Sequence, residues 1–147
     1  MCARIVDVAT KPMVARTARA RGRLRLRPST VEAVKTGRVD KGDVIATARV
    51  AALQGVKRTP EWLPLCHSIP VTSAETDFVL EADGIVLEVT VGAHYRTGVE
   101  MEALTGTVAG LLCVWDMVKP LEKDDTGGYP DARLEDVRVV EKTKGAA

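Results

Sequence analysis

Two charged side chains near the end of a long apolar segment have the types and spacing for acid–base chemistry. Asp116 and Lys119 are three residues apart, which places both on one face of a helix. A carboxylate beside an ammonium group can orient that group and take part in proton transfer. The same spacing is also typical of an ordinary surface ion pair, with Lys119 suited to the helix C-terminus. From spacing alone, both interpretations stay open.

Two further carboxylates, Glu100 and Glu102, lie at the beginning of the same predicted helix, where the helix dipole favours acidic side chains. Fourteen residues separate Glu102 from Asp116, which is about 21 Å along a helix. The two ends therefore do not meet one small ligand group within one chain. If both are functional, a neighbouring subunit completes the site, or the chain has two sites.

Two other segments contain candidate residues. Lys41 and Asp43 flank a glycine at the start of a predicted helix, where a lysine and free backbone N–H groups can bind an anion. Asp43 is equally explained as an ordinary N-terminal acid. His67 lies in a proline-rich loop, a setting that favours a functional histidine. Because neighbouring side chains of an extended backbone point to opposite sides, Cys66 and His67 are not expected to form a nucleophile pair.

The strands that hold these candidates are predicted from alternation and turn signals. Arginine and leucine alternate over residues 22–27, and Asp83-Gly84 predicts a hairpin turn. The predicted strands cover residues 22–27, 71–81, 85–91 and 133–140. An irregular proline-rich stretch is expected over 59–70 and a frayed tail over 145–147.

Three helices are predicted from apolar periodicity and capping residues. Ser29, Asp40 and Thr97 are the expected N-caps, and Pro120 is expected just past the end of the last helix. The predicted helices cover residues 29–37, 40–57 and 98–118. The order β-α-β-β-α-β predicts an α+β, ferredoxin-like fold in which an antiparallel sheet packs against two main helices.

Composition limits the class of protein. The chain has 147 residues, 46% hydrophobic, 28% charged and 3% aromatic, with a formal net charge of +1. This length predicts a single domain over residues 1–147 with a sizeable core. Residues 1–60 contain 14 Lys or Arg and 4 Asp or Glu, whereas residues 61–147 contain 7 and 16. The chain therefore has a basic half and an acidic half.

Several classes are disfavoured. No apolar run approaches the ~20 residues of a membrane span, and the N-terminus has no apolar secretory core. Three cysteines without a C-x-x-C pair predict a cytoplasmic protein without a thiolate metal site. No metal is expected, since His67 and His94 are far apart in the sequence. The sequence contains neither a phosphate-loop motif nor a dinucleotide-binding motif. It also has few aromatic residues on which nucleic-acid bases could stack.

Several strings together resemble one protein family. They include Thr-Gly-Val-Glu-Met-Glu-Ala-Leu at residues 97–104 and Pro-Leu-Cys-His at residues 64–67. The others are residues 6–8, 41–49 and 57–59, with Arg16, Arg19, Asp116 and Lys119. The chain resembles, over nearly its whole length, cyclic pyranopterin monophosphate synthase, the accessory protein C of molybdenum cofactor biosynthesis.

The resemblance implies an activity and an assembly. Members of the family convert 3′,8-cyclo-7,8-dihydro-GTP, a cyclised GTP intermediate, to cyclic pyranopterin monophosphate and release diphosphate. They have a ferredoxin-like fold and form homo-hexamers, trimers of dimers, with active sites at subunit interfaces. No redox cofactor is expected, because this step involves no net electron transfer.

The resemblance also implies roles for residues, by motif position. Asp116, Lys119 and Lys41 correspond to the family's catalytic groups. The implied substrate-binding residues are Leu65, Cys66, His67, Glu100, Met101, Glu102, Arg16, Arg19 and Lys57. The residue types suit this substrate, because cations bind a triphosphate and a carboxylate accepts the N–H groups of a guanine edge.

The chain departs from the family pattern at three places. Arg96 stands before Thr97-Gly98 where the family often has lysine, and Pro120 follows Lys119 where alanine is more usual. The tail also differs from a family segment of the Lys-Ser-Gly-Gly-Lys type. A phosphate contact from Lys142 or Lys144 is therefore not predicted.

Two other functions are compatible with the residues alone. A non-catalytic small-molecule sensor would use the same acids and lysines only to bind a ligand. A nucleic-acid-binding domain would use the arginine-rich strand, and its affinity would then fall steeply with salt. Neither alternative accounts for the family strings.

Overall fold

The computed structural model describes residues 1–146 and contains four strands and four helices in that range. In chain order they are β1 (Val14–Arg25), α1 (Pro28–Lys35), α2 (Val44–Lys57), α3 (Thr59–Trp62), β2 (Val71–Glu81), β3 (Gly84–Tyr95), α4 (Glu100–Glu122) and β4 (Arg133–Lys144). The strands form one sheet in the order β2-β3-β1-β4, and every neighbouring pair is antiparallel. Helices α2 and α4 pack against each other and against the sheet. The predicted α+β, ferredoxin-like arrangement is confirmed.

Strand β1 is longer than predicted and starts at Val14. Its side facing the helices consists partly of small residues, including the buried Ala18 and Ala20 and then Gly22. A Cβ atom at Gly22 would lie 3.0 Å from side-chain atoms of Leu111 and Thr107 in α4. Small residues therefore let α4 approach the sheet closely. The small residues also explain why the sequence did not predict the first half of β1, because alanine and glycine give a weak alternation of apolar and polar residues.

Helix α1 begins at Pro28, with Arg27 as N-cap, so the predicted Ser29 cap is wrong. The carboxylate of Glu122, fully buried in the last turn of α4, accepts a hydrogen bond from the Arg27 backbone N–H at 3.1 Å. It also accepts the hydroxyl hydrogen bond of Thr30. A carboxylate from a distant part of the chain thus satisfies free groups at this helix N-terminus.

Helix α2 begins at Val44, and its cap is Asp43 rather than the predicted Asp40. The Asp43 carboxylate accepts the backbone N–H of Ala46 at 2.9 Å, which satisfies one free donor of the first turn. Its predicted end at Lys57 is confirmed.

Helix α4 differs from its predicted bounds at both ends. It begins at Glu100, and its N-cap is Val99 instead of Thr97. It continues to Glu122, so Pro120 lies inside its last turn. The prediction that Pro120 lies beyond the helix is therefore wrong.

The apolar character of α4 also corrects the expectation about membrane spans. In length and composition this helix is apolar enough to cross a bilayer, and it is the one such helix among residues 1–146. More than half of its apolar segment is buried inside the fold. A core helix of a soluble protein has the same properties, because both of its sides contact apolar groups.

Two shorter segments complete the chain. The stretch 59–70, predicted to be irregular, contains the one-turn helix α3 with Pro60 in its first turn, where proline is tolerated. The predicted frayed tail still pairs at Gly145, whose N–H donates to the carbonyl of Ala15 at 2.8 Å. The last residue of that tail, Ala147, lies outside the described residues.

Candidate active site

A cluster of three charged side chains lies at the C-terminal end of α4. Lys41 Nζ is 2.9 Å from Asp116 Oδ2, and Lys119 Nζ is 3.1 Å from Asp116 Oδ1. Each ammonium group therefore meets its own oxygen of one carboxylate. The structure brings together in one chain the three residues for which the resemblance implies catalysis.

The position of Lys41 depends on the loop before α2. Gly42 has a φ of 109°, a conformation that L side chains rarely adopt, and Asp43 then caps α2. This turn places Lys41 over the last turns of α4, where its Nζ also donates to the backbone carbonyl of Asp116 at 3.1 Å. Lys41 is thus held by two acceptors that belong to one residue.

The electrostatics of this cluster follow from its hydrogen bonds. The ammonium groups of Lys41 and Lys119 lower the pKa of Asp116, with Lys41 as the larger cause. The Asp116 carboxylate in turn raises the pKa of Lys119. All three side chains are partly exposed, Asp116 to 57%, so water screens the attraction. The arrangement favours the charged forms of Asp116 and Lys119, and it leaves the cluster open to a ligand.

The N-terminal end of α4 has a different character. Glu102 is only 3% exposed, and this burial is the main cause that raises its pKa. The charge of Glu100 raises it further, whereas the backbone N–H of Glu102 itself lowers it. Burial, and to a smaller extent the charge of Glu102, raises the pKa of the Cys66 thiol. A buried carboxyl of this kind gains stability when a ligand offers N–H donors to it.

The other two residues of this turn face outward to different extents. Glu100 is partly exposed, and its Oε1 is 3.7 Å from Lys142 Nζ of β4. The chain has a glycine at position 98, where a Cβ atom would collide with the Glu100 carboxylate. Met101 is exposed. Lys142, for which no phosphate contact was predicted, thus pairs with the acidic residue Glu100 of α4 in this chain.

An N-terminal strap, which we define as residues 5–11, lies over His67. The ring Nε2 of His67 is 2.6 Å from the carbonyl of Val6, so Nε2 is the donor of that bond. The Arg96 guanidinium donates to the carbonyls of Ala9 and Lys11, the latter at 2.9 Å. Residues 5–9 of the strap line an open cleft of about 390 Å³ together with His67, Tyr95 and Arg96.

In the sequence, Arg96 stood out only as a departure from the family pattern. The structure shows it as the residue that holds the strap, because one guanidinium reaches two backbone carbonyls. The only sequence signal was its position directly before the Thr-Gly-Val-Glu string. Nothing in the spacing of residues 5–11 indicated that they fold back over His67.

The two basic residues of β1 named by the resemblance lie on opposite faces of the sheet, because three residues separate them. Arg16 donates to the carbonyl of Arg96 at 3.3 Å, near the beginning of α4. Arg19 is on the open face, where it pairs with Glu141 at 2.9 Å and with Glu88 at 3.9 Å. The structure therefore brings Arg16, but not Arg19, close to the acidic end of α4 of the same chain.

The arginine-rich strand is neutralised by acids of neighbouring strands and of the hairpin turn. Arg23 is the extreme case, with Glu81, Asp83 and Glu135 all within 2.7 Å of its guanidinium. These hydrogen bonds, led by that of Glu81, raise the pKa of Arg23 against the effect of burial. A strand that presents ion pairs instead of free cations is poorly suited to a polyanion.

Two remaining candidates lie between these regions. Lys57 ends α2 and lines a cavity of about 320 Å³ with Ile69, Val71 and neighbouring residues at the start of β2. Leu65 is exposed in the loop before β2. Within residues 1–146, neither side chain forms a hydrogen bond or an ion pair with Lys41, Asp116 or Lys119.

The two ends of α4 remain far apart. The helix is continuous over 23 residues, so Glu102 and Asp116 are separated by about 21 Å along it. Within residues 1–146, no group of three or more His, Cys, Asp or Glu side chains is placed to hold a metal ion.

Comparison with known proteins gives a consistent result. Residues 5–145 match the model of the MoaC family. A probable cyclic pyranopterin monophosphate synthase of Thermococcus kodakarensis is 52% identical over 142 residues, which are 97% of this chain and 91% of the relative. Its counterpart in Archaeoglobus fulgidus is 54% identical over the same shares of both chains. That of Methanosarcina mazei is 50% identical over 99% of this chain and 92% of its own.

Proposed function

Because this chain belongs to the MoaC family, we propose that it is an enzyme, a cyclic pyranopterin monophosphate synthase of molybdenum cofactor biosynthesis. It converts 3′,8-cyclo-7,8-dihydro-GTP to cyclic pyranopterin monophosphate and diphosphate. The observation that carries the proposal is the hydrogen-bonded cluster of Lys41, Asp116 and Lys119. Residues 1–147 act as one synthase domain.

The cluster suits the chemical steps. The purine-derived ring opens and closes again as a pterin, and a hydroxyl of the substrate attacks phosphorus as diphosphate leaves. Each step moves protons, and a diphosphate leaving group gains negative charge that ammonium groups stabilise. Asp116 holds Lys41 and Lys119 in place for both tasks. The reaction transfers no net electrons, so we expect no redox cofactor.

The other candidates bind the substrate. Lys57 and Arg16 provide cations for the triphosphate, and Glu102 accepts N–H groups of the base edge. Arg19, which lies on the open face of the sheet in its own chain, provides a cation to the site of a neighbouring copy. Burial of Glu102 supports this role, because a carboxyl removed from water gains most from such donors. The remaining contacts come from Leu65, Cys66, His67, Glu100 and Met101.

We further propose that copies of this chain assemble as a homo-hexamer, a trimer of dimers, with each site at a subunit interface. Glu102, Ala109 and Asp116 are spaced by seven residues, so they share one side of α4. A two-fold axis near Ala109 would place Asp116 of one copy beside Glu102 of its neighbour. The lysine-containing end would then face the acidic end, which is a complementary pairing of charge.

The surface around the midpoint of α4 supports such a contact. Leu112 is 43% exposed and Trp62 is 47% exposed, and both line a groove between α2 and α4. Leu112→Arg should dissociate the assembly and remove turnover, because a buried unpaired charge is costly in an interface. Leu112→Met, which keeps the apolar contact, should retain both. If Leu112→Arg sediments and turns over like the wild type, the subunit interface does not include this part of α4.

The function is tested directly with the cyclised GTP intermediate. Incubation with the protein should release diphosphate and yield a pterin that becomes fluorescent on oxidation. Tight binding without product would instead establish the sensor function. Binding of RNA with a steep salt dependence would support the nucleic-acid alternative, which the ion-paired arginines of β1 disfavour.

We also propose that the protein is cytoplasmic and acts without a membrane or nucleic-acid partner. Cys2, Cys66 and Cys113 are free thiols in the described range, which suits a reducing compartment. The apolar helix α4 is largely a core element. Fractionation of cells that express the tagged chain checks the compartment.

A further inference from the structure

One backbone carbonyl of α4 has an unusual partner. In an α-helix, the carbonyl of each residue accepts the N–H of the residue four positions later. Four positions after Asp116 the chain has Pro120, which has no N–H. The carbonyl of Asp116 instead accepts a hydrogen bond from Lys41 Nζ at 3.1 Å.

This contact distinguishes the two lysines of the cluster. Lys41 Nζ bonds the Asp116 carbonyl and also Oδ2 of the same residue at 2.9 Å. Lys119 Nζ meets Asp116 through Oδ1 at 3.1 Å. Two acceptors fix both the position and the direction of an ammonium group, whereas one acceptor leaves it free to rotate about the bond.

Pro120 does not act as a helix terminator. The helix continues to Glu122, and the Lys123 N–H donates to the Lys119 carbonyl at 3.0 Å. The helical hydrogen-bond pattern therefore resumes directly after the proline. The lasting effect of Pro120 is the missing donor one turn after Asp116.

We propose that Pro120 is a positioning residue, which leaves the Asp116 carbonyl available to hold the Lys41 ammonium group beside the carboxylate. The inference rests on the proposed function, in which Lys41 is catalytic. With a backbone N–H at position 120, the Asp116 carbonyl would bond within the helix. The hold on Lys41 would then be weaker, while that on Lys119 would be unchanged.

Pro120→Ala tests this inference. The rate at which acetic anhydride labels Lys41, measured by mass spectrometry, should rise about three- to tenfold, since a charge-assisted hydrogen bond is lost or shared. Labelling of Lys119 in the same molecules serves as the internal control and should change less than about twofold. The value of kcat should fall by a factor similar to the rise in labelling. Tm should stay the same or rise, because alanine is the better helix former, which separates this effect from a loss of stability.

A second variant separates the missing N–H from the proline ring. An α-hydroxy analogue of alanine at position 120 makes a backbone ester, which has neither the N–H nor the ring. We expect wild-type labelling of Lys41 and wild-type kcat in this variant. An ester variant that behaves like Pro120→Ala would overturn the inference, as would Pro120→Ala with unchanged labelling and kcat.

The outcomes also separate this inference from the proposed function. If the wild-type protein makes no product but Pro120→Ala still exposes Lys41 to labelling, the positioning stands and the function fails. If the wild-type protein turns over and Pro120→Ala changes neither labelling nor kcat, the positioning alone is wrong.

Discussion

The two ends of α4 hold carboxylates in opposite environments. At the C-terminal end, Asp116 is 57% exposed and lies between two ammonium groups. At the N-terminal end, Glu102 is 3% exposed, and burial raises its pKa. One end is a complete ion cluster within the chain, whereas the other contains a buried carboxyl for which the hydrogen bonds and ion pairs of residues 1–146 give no cationic partner.

This difference separates two ways of preparing a site. The exposed cluster contributes little to stability, because water screens its charges and the side chains lose entropy. Its value is the fixed arrangement of charges that a reaction can use. The buried Glu102 instead stores an unfavourable desolvation that a ligand with N–H donors can relieve. The comparison predicts that substitutions at the first end affect turnover and those at the second affect binding or stability.

The largest effect is expected at the exposed end. Asp116→Asn and Lys119→Ala should each lower kcat by about 10²- to 10⁴-fold, the usual contribution of proton transfer by a positioned group. Tm at neutral pH should change only slightly and the assembly should persist, because water screens the ion pairs of both side chains. Asp77→Asn, an exposed acid of β2, serves as the control and should keep full turnover. A rate near that of the wild type in Asp116→Asn would refute the role of the cluster.

Mixing variants from the two ends tests whether they form one site. Glu102→Ala and Lys119→Ala should each be inactive alone. If each site takes one end from each of two copies, a random 1:1 mixture should recover about a quarter of wild-type turnover, because about a quarter of its sites combine an intact Glu102 with an intact Lys119. Native mass spectrometry confirms that mixed assemblies form. Their complete inactivity would show that the two ends belong to separate sites.

Two buried glutamates on the same helix provide a matched comparison of stability. Glu122 accepts hydrogen bonds from Arg27 N–H and the Thr30 hydroxyl. Glu122→Leu should therefore lower the free energy of unfolding by about 2–4 kcal/mol, because it leaves these donors buried without an acceptor. Glu102→Leu should leave the free energy of unfolding equal or higher, since it removes a desolvated carboxyl. Urea titrations at matched protein concentration measure both, and equal losses would contradict the comparison.

The strap at the N-terminal end should have a smaller effect. Arg96→Ala removes the guanidinium that holds the carbonyls of Ala9 and Lys11. Because the strap lies over His67, a proposed substrate contact, we expect KM to rise about threefold to tenfold with kcat nearly unchanged. Arg96→Lys should recover part of the loss, because an ammonium group keeps the charge without the planar fork. Hydrogen exchange of residues 5–11 should accelerate in Arg96→Ala. Unchanged exchange would show that the strap is held by other contacts.

The smallest effect is the pH dependence of stability, which should have opposite sign at the two ends. The pKa of Glu102 is raised in the fold, so its contribution is fully present below the unfolded pKa of about 4.3 and is lost as pH rises through the folded pKa. The pKa of Asp116 is lowered, so its contribution is present above about pH 3.9 and is lost as pH falls. As pH rises across this range, the free energy of unfolding of Glu102→Gln should therefore increase relative to that of the wild type. That of Asp116→Asn should decrease relative to the wild type.

The sequence predicted long or strongly patterned elements well. The order of elements and the end of α2 at Lys57 were confirmed. A hairpin turn does join β2 and β3, but its two residues are Ala82 and Asp83, and Gly84 is already paired with Glu81 as the first residue of β3. These features depend on local periodicity and turn chemistry. Helix starts were predicted less well, because the actual caps are set by the surroundings, as the Glu122 carboxylate at the start of α1 shows.

The candidate site was predicted in part for the same reason. The spacing of Asp116 and Lys119 indicated an ion pair, and the structure places them 3.1 Å apart. Lys41 lies 75 residues before Asp116, so no local pattern could connect them. The fold-back of residues 5–11 over His67 and the partner of the Asp116 carbonyl likewise had no local signal.

The sequence by itself determined the fold class, the family and the types of group available for chemistry. The fold class follows from local periodicity and turn signals, and the family follows from short strings of residues. Only the tertiary structure decided that Lys41 joins Asp116, that residues 5–11 lie over His67, and that Glu102 is buried. Contacts between distant segments depend on how α2, α4 and the sheet pack, and packing is a property of the whole chain.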